Sequence, residues 1–175
     1  MRGTEGKGMK GREIFGRQLI GGAWVESGSD ERIEVENPAT RERFASVPAG
    51  TIGDADRAVA AARRALPGWS ATPLEARIAL VERMLGIFRG MTEEIVELEV
   101  AELGAPVAFA RKKHCDYQMR RTEAFIEAAR RVALEEALPK SLVLREPVGV
   151  VAAITPWNYP LGQIVQKAIP AILMG

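Results

Sequence analysis

The segment from residue 148 to residue 175 constrains the fold more than any other part of the sequence. Residues 148–154 form a nearly continuous apolar run, which is typical of a strand buried on both faces in a parallel sheet. The next residues, TPWNYP at 155–160, are expected to turn because two prolines bracket them. Residues 161–174 then have the pattern of a helix, with Gly175 as its stop. Strand, turn and helix in this order are the first half of a crossover unit, which predicts an α/β fold.

The predicted C-terminal helix is apolar on most of its sides. Such a helix requires burial on several faces, and no later segment of this sequence can cover it. We therefore expect the chain to be a truncated part of a larger α/β domain, and to aggregate through the uncovered helix.

Short strands are predicted near the start of the chain. Gly21 and Gly22 lie between two short apolar runs, and paired glycines favour a tight hairpin turn within residues 18–25. Residues 32–35 alternate between polar and apolar, which predicts a half-buried strand, and residues 37–40 have the composition of a turn.

Helices are predicted to dominate the middle of the chain. Thr51 and Asp54 favour a capping-box start for a helix that Pro67 is expected to end. Thr72 is expected to cap a second helix. The two following helices are predicted over residues 92–104 and 106–131. The last of these is rich in alternating charge, so its face is expected to be solvated.

The charge balance and the single cysteine bound the possible partners. A formal net charge of +1 gives no electrostatic reason to expect nucleic acid or an anionic membrane as a partner. No apolar run reaches the roughly 20 residues of a membrane span, and no signal-peptide core follows the basic first residues. One cysteine excludes an intrachain disulfide and fits a reducing compartment, so we expect a cytoplasmic protein.

Two side chains, those of Asn158 and Cys115, are candidates for a catalytic role when only the residues around each are considered. Asn158 in the TPWNYP turn offers a neutral amide donor that could stabilise an oxyanion, although asparagine before a helix is also a common N-cap. Cys115 lies in the charged helix, where the adjacent His114 points in another direction, so a non-catalytic role is expected. A lone histidine without a ligand cluster predicts no metal site.

Residues 145–161, REPVGVVAAITPWNYPL, closely resemble the REPVGVV-ITPWN-P segment of the aldehyde dehydrogenase superfamily. The likeness continues to Gly175 and extends backwards through LIGGAWV, EVENPAT and the ELGAP turn, over nearly all of residues 18–175. The resemblance implies an α/β fold: an incomplete, helix-rich N-terminal part of a Rossmann-like cofactor-binding domain, with a β-hairpin.

The resemblance also implies a division of the chain and an oligomeric enzyme. The complete enzyme is expected to be a homo-oligomer, a dimer or a tetramer. The four implied parts are a flexible basic tail (1–17), the hairpin and helical part of the cofactor-binding domain (18–140), an oligomerisation-type strand (141–147), and the truncated first strand-turn-helix of the dinucleotide-binding sheet (148–175).

By resemblance, the activity is oxidation of an aldehyde to a carboxylic acid with NAD or NADP. Asn158 matches the asparagine whose side-chain amide holds the oxyanion, and Trp157 matches an aromatic near the aldehyde and the nicotinamide. Ile154, Thr155 and Pro156 match the stretch along the nicotinamide-ribose side of the cofactor.

The family's nucleophilic cysteine and general-base glutamate would follow Gly175, so this chain alone is predicted to be inactive. One alternative is a non-catalytic family remnant that associates with a full-length relative. Another is a helical interaction module with one terminal strand-helix unit, which leaves the stiff TPWNYP turn unexplained.

Overall fold

The computed structural model describes residues 16–175, so residues 1–15 of the predicted tail lie outside the described residues. The strands are β1 (Gln18–Ile20), β2 (Ala23–Val25), β3 (Arg32–Glu36), β4 (Arg43–Pro48), β5 (Glu135–Leu138) and β6 (Ser141–Leu144). The helices are α1 (Ile52–Ser70), α2 (Leu74–Gly90), α3 (Thr92–Leu103), α4 (Val107–Phe109), α5 (Tyr117–Arg130) and α6 (Pro160–Met174). A π-helical segment, Ala110–Asp116, joins α4 to α5. The chain divides after Ala61, inside α1, into two compact units.

The first unit contains two antiparallel hairpins, and both agree with the sequence pattern. In the β1–β2 hairpin Gln18 lies opposite Val25, and the turn residues Gly21 and Gly22 have φ values of 63° and 82°. Positive φ at both central residues is the geometry of a type I′ turn, which glycine adopts without steric cost. The second hairpin pairs β3 with β4, so the strand predicted over residues 32–35 is confirmed.

The start of α1 is held by the predicted capping pair. The Thr51 N–H donates to Asp54 Oδ2 at 2.8 Å, and the Asp54 N–H donates to Thr51 Oγ1 at 3.1 Å. Ser27 Oγ and the Gly28 N–H also donate to this carboxylate, and Arg57 pairs with it. These donors, the Thr51 backbone N–H first, hold the pKa of buried Asp54 well below its usual range.

Pro67 does not end α1, so that prediction was wrong. The helix continues to Ser70, whose hydroxyl donates to the Leu66 carbonyl at 2.8 Å. Trp69 donates its indole N–H to the Ile172 carbonyl at 3.2 Å, and this tertiary contact ties the last turn of α1 to α6. Thr72 does not cap α2 either, because its hydroxyl donates backwards to the Gly68 carbonyl at 2.9 Å.

The second unit is built around α6. The buried face of α6 packs against α2 and α5, so the expectation that this helix lacks a cover was wrong. The shared core consists of Ile78, Val81, Ile126, Ala129, Val165, Ile169 and Leu173. A second core is formed by residues of α2, α3, the π-helical segment and α5, together with Ala105 after α3; it consists of Leu85, Val96, Ala105, Ala110, Cys115 and Met119. α6 is open to solvent in part, since Ile164 is 49% exposed.

The strand predicted over residues 148–154 is absent. These residues belong to no strand or helix, and Val148 is 94% exposed. A strand needs neighbours for its backbone N–H and C=O groups, and within residues 16–175 β5 and β6 pair only with each other. Residues 148–154 therefore have the composition of a buried strand, but their backbone groups form no hydrogen bonds to a neighbouring strand within residues 16–175. β6 lies within the range of the strand expected over residues 141–147, whereas β5 was not predicted.

Among residues 16–175, no helix combines the length and the apolar character that crossing a membrane requires.

Candidate functional site

The proposed oxyanion donor, Asn158, lies in the turn that leads into α6. Its side chain is exposed, and the residue at the cap position of the helix is Tyr159. No side-chain hydrogen bond caps this helix, so the interpretation of Asn158 as an N-cap is wrong. Its amide is therefore not engaged in holding the helix start, and it lies where a ligand can approach.

The other four residues singled out from the sequence lie in the same exposed stretch. Ile154 and Trp157 are each 83% exposed, and Thr155 and Pro156 between them are exposed as well. The structure thus brings these residues and Asn158 together along one continuous surface segment. Two large apolar side chains open to solvent make this segment a candidate surface for a flat apolar group.

Tyr159, at the end of this segment, packs against the helical stretch that contains Phe109 and His114. Its ring stacks on the His114 ring with the centroids 4.8 Å apart and the planes at 11°. The Phe109 ring lies 6.4 Å from Tyr159 and 5.4 Å from His114, tilted to both. All three distances are typical of aromatic pairs that stabilise a structure beyond the area they bury. The residue next to Asn158 is thereby held from two sides.

A buried polar contact lies below this aromatic cluster. His114 and Glu99 are 1% and 6% exposed, and His114 Nδ1 lies 2.7 Å from Glu99 Oε2. Neither atom has another hydrogen-bond partner within residues 16–175. Separating the pair would leave a buried polar group without a partner, which is costly. The contact therefore fixes the imidazole on which Tyr159 stacks.

A buried His114 that packs against Tyr159 was not predicted from the sequence, although the spacing of three polar residues indicates that this side of the helix is buried. His114, Gln118 and Thr122 recur four residues apart and are all buried. That spacing places them on one face of the helix, which is the face turned inward. The expectation of a solvated face thus holds only for the opposite side of this helix.

Cys115 is placed where it cannot act as a nucleophile. It is fully buried in the second core, and burial raises the pKa of its thiol to about 11, with the charges of Glu99 and Asp116 adding to the effect. At neutral pH the thiol is therefore protonated. Within the described part of the chain, no group of three or more His, Cys, Asp and Glu side chains is arranged to hold a metal ion.

Comparison with known proteins assigns the chain to a family. The model of the aldehyde dehydrogenase family matches residues 24–175. A putative aldehyde dehydrogenase of Staphylococcus aureus is 35% identical over 161 residues, which are 92% of this chain and 34% of that protein. The succinate-semialdehyde dehydrogenase [NADP(+)] of Escherichia coli is 33% identical over 168 residues, 93% of this chain and 35% of that protein.

The folds also agree. A crystal structure of a mutant aldehyde dehydrogenase C of Pseudomonas syringae with NAD+ and octanal superimposes with a TM-score of 0.90 at 35% identity. The superposition covers 93% of this chain and 33% of that one. The chain spans about a third of the length of the relatives it matches, in their N-terminal portion. The chain belongs to the aldehyde dehydrogenase family.

Proposed function

We propose that this chain forms part of an NAD- or NADP-dependent aldehyde dehydrogenase that oxidises an aldehyde to a carboxylic acid. The family membership supports this reaction class. A related structure contains NAD+ and octanal, and a related enzyme is named for NADP(+). The single structural observation that carries the proposal is the exposed side-chain amide of Asn158, which does not cap α6. The next residue, Tyr159, is held by its stack on His114.

Asn158 is proposed to donate its side-chain amide N–H to the oxygen of the aldehyde as negative charge develops there. A neutral donor suits this role because it carries no charge of its own that has to be desolvated. A donor is effective only if it is already in position when the charge appears. The stack of Tyr159 on His114 provides that rigidity at the adjacent residue.

The residues from Ile154 to Trp157 are proposed to line the cofactor. When bound, NAD or NADP supplies the hydride acceptor of the reaction. The exposed side chains of Ile154 and Trp157 offer apolar surface that a flat ring can cover. Pro156 and Pro160 restrict the backbone on either side of Trp157 and Asn158, so this surface is preorganised.

These 175 residues alone are proposed to lack turnover. Aldehyde oxidation by this family's chemistry needs a thiolate nucleophile. The only cysteine is Cys115, which is buried and has a pKa of about 11. Asn158 can stabilise an oxyanion, but within this chain no accessible thiolate forms one.

Association with further protein is proposed to involve the β5–β6 hairpin. All eight of its strand residues are exposed, and Leu138, Leu142 and Leu144 among them are large and apolar. This surface fits subunit association in the complete enzyme. It equally favours the second candidate function, a non-catalytic remnant that binds a full-length relative.

The test replaces Asn158 with alanine in a full-length enzyme that carries these residues. We expect kcat to fall by about 10²–10³-fold, with a smaller change in KM, as for removal of one oxyanion donor. Asn37→Ala is the matched control, because Asn37 serves a surface turn, where it accepts the Ala39 N–H at 2.9 Å. NADH or NADPH formation is the readout. Full activity of Asn158→Ala would refute the assigned role, and turnover by the pure 175-residue chain would refute the proposed need for another thiolate.

A further inference from the structure

A cavity of about 360 Å³ lies beside the segment that carries Asn158. Its walls come from the helical stretch between Phe109 and Arg121 and from the start of α6. This volume is at the lower end of the range for small-molecule sites. Tyr159 lines the cavity, so the cavity begins one residue from the proposed oxyanion donor.

Two cationic side chains that line this cavity lie close to one aromatic ring. The Arg121 guanidinium lies 4.9 Å from the centroid of the Tyr117 ring, and Lys113 Nζ lies 6.0 Å from the same centroid. Arg121 Nη2 also donates to the Tyr117 hydroxyl at 3.3 Å. Within residues 16–175 neither cation forms an ion pair with a carboxylate. Their charges are therefore available to an anion.

The remaining polar lining is neutral. Gln118, Gln163 and Gln166 contribute side-chain amides, and no aspartate or glutamate lines the cavity. Gln118 is buried and fixed, because its Nε2 donates to the Lys113 carbonyl at 3.0 Å and its amide packs against Gly162 of α6. A β-carbon at position 162 would lie 3.0 Å from Gln118 Nε2, so the close approach of α6 to this wall depends on that glycine.

We infer that this cavity binds the carboxylate end of the substrate, so that the preferred aldehydes carry a negative charge. The inference rests on the proposed function. The Phe109, Tyr117 and Tyr159 rings offer apolar wall for a short methylene chain, and Lys113 and Arg121 attract the carboxylate. Because Tyr159 lines the cavity and Asn158 is the residue before it, we infer that the aldehyde end of a short anchored substrate lies near Asn158.

The test measures anion binding to the 175-residue chain by NMR, with butyrate as the probe and butanamide as its neutral counterpart. We expect butyrate to shift the side-chain amide signals of Gln118, Gln163 and Gln166 in a saturable way, and butanamide to bind at least fivefold more weakly. Added salt should weaken the binding of butyrate and leave that of butanamide unchanged.

The variants are Lys113→Gln and Arg121→Gln, with Arg120→Gln as the control. Arg120 lies on the same helix and is exposed, but it does not line the cavity. Each cavity variant should weaken butyrate binding about fivefold to tenfold, and the control should leave it unchanged. Equal binding of butanamide and butyrate, or equal effects of Arg120→Gln and Arg121→Gln, would overturn the inference.

This experiment needs neither cofactor nor turnover, so its result is separate from that of the Asn158→Ala test. If butyrate fails to bind while Asn158→Ala impairs the full-length enzyme, only the substrate inference is lost. If butyrate binds as expected and Asn158→Ala is fully active, the anion site stands and the proposed role of Asn158 is lost.

Discussion

Replacing Tyr159 with alanine should loosen the start of α6 and, with it, the segment that carries Asn158. The Tyr159 ring stacks on His114 at 4.8 Å and lies 6.4 Å from Phe109. An aromatic pair contributes about 0.5–1.5 kcal/mol beyond the area it buries, so losing both pairs costs about 1–3 kcal/mol of local stability. Each 1.4 kcal/mol is a tenfold change in an equilibrium, so transient opening should become about 5- to 150-fold more frequent.

Hydrogen exchange at Gln163 measures this opening directly, because its backbone N–H donates to the Tyr159 carbonyl at 2.9 Å in the first turn of α6. The exchange rate of this amide should rise by the same factor in Tyr159→Ala. Tyr159→Phe keeps the ring and should exchange within about twofold of the unchanged chain. Equal exchange in all three chains would show that the stack does not hold the segment. Equal acceleration in both variants would assign the effect to the hydroxyl group instead.

Three further changes test other parts of the structure. Ile169→Ala empties part of the core shared by α2, α5 and α6, and it should lower the free energy of unfolding by about 2–5 kcal/mol in urea titrations. Ile164→Ala, at a half-exposed position of the same helix, should lower it by less than about 1 kcal/mol. Similar losses in the two variants would mean that Ile169 is not packed in the core. Because the pKa of Asp54 is lowered by folding, its contribution is present above its unfolded pKa of roughly 3.9 and is lost as pH falls through the lower folded value. Asp54→Asn should therefore reduce stability at pH 7 and flatten the loss of stability on acidification, and an unchanged pH profile would contradict this account. Cys115 should resist alkylation by iodoacetamide at pH 8 in the folded chain and should react readily in urea. A thiol pKa of about 11 leaves roughly one thiol in a thousand ionised at pH 8. Rapid alkylation without urea would contradict the burial of this thiol.

Local features were accessible from the sequence because they depend on residues close together in the chain. The Gly21-Gly22 turn and the Thr51–Asp54 capping pair follow from backbone conformations and hydrogen bonds that span only a few residues. The family resemblance likewise rested on a contiguous motif around Asn158, and the family itself is confirmed over residues 24–175. The roles assigned to Asn158 and to residues 154–157 stay predictions.

Two of the sequence predictions that failed have an outcome that depends on distant residues. Pro67 removes one helical hydrogen bond, but α1 continues because Trp69 and Ser70 gain partners, one of them on α6. Residues 148–154 have the composition of a buried strand, yet pairing requires a neighbouring strand, which the rest of the described chain does not provide. Local composition does not reveal whether such partners exist.

The sequence by itself determined the family, the position of Asn158 beside a helix start, and the turns and helices that precede it. Only the tertiary structure decided what supports that position, because Glu99, His114 and Tyr159 come from three separate segments and meet through packing. It also decided that the charged helix turns His114, Gln118 and Thr122 inward. Helical spacing places residues on a common face, but which face is buried depends on the surfaces that the rest of the chain folds against it.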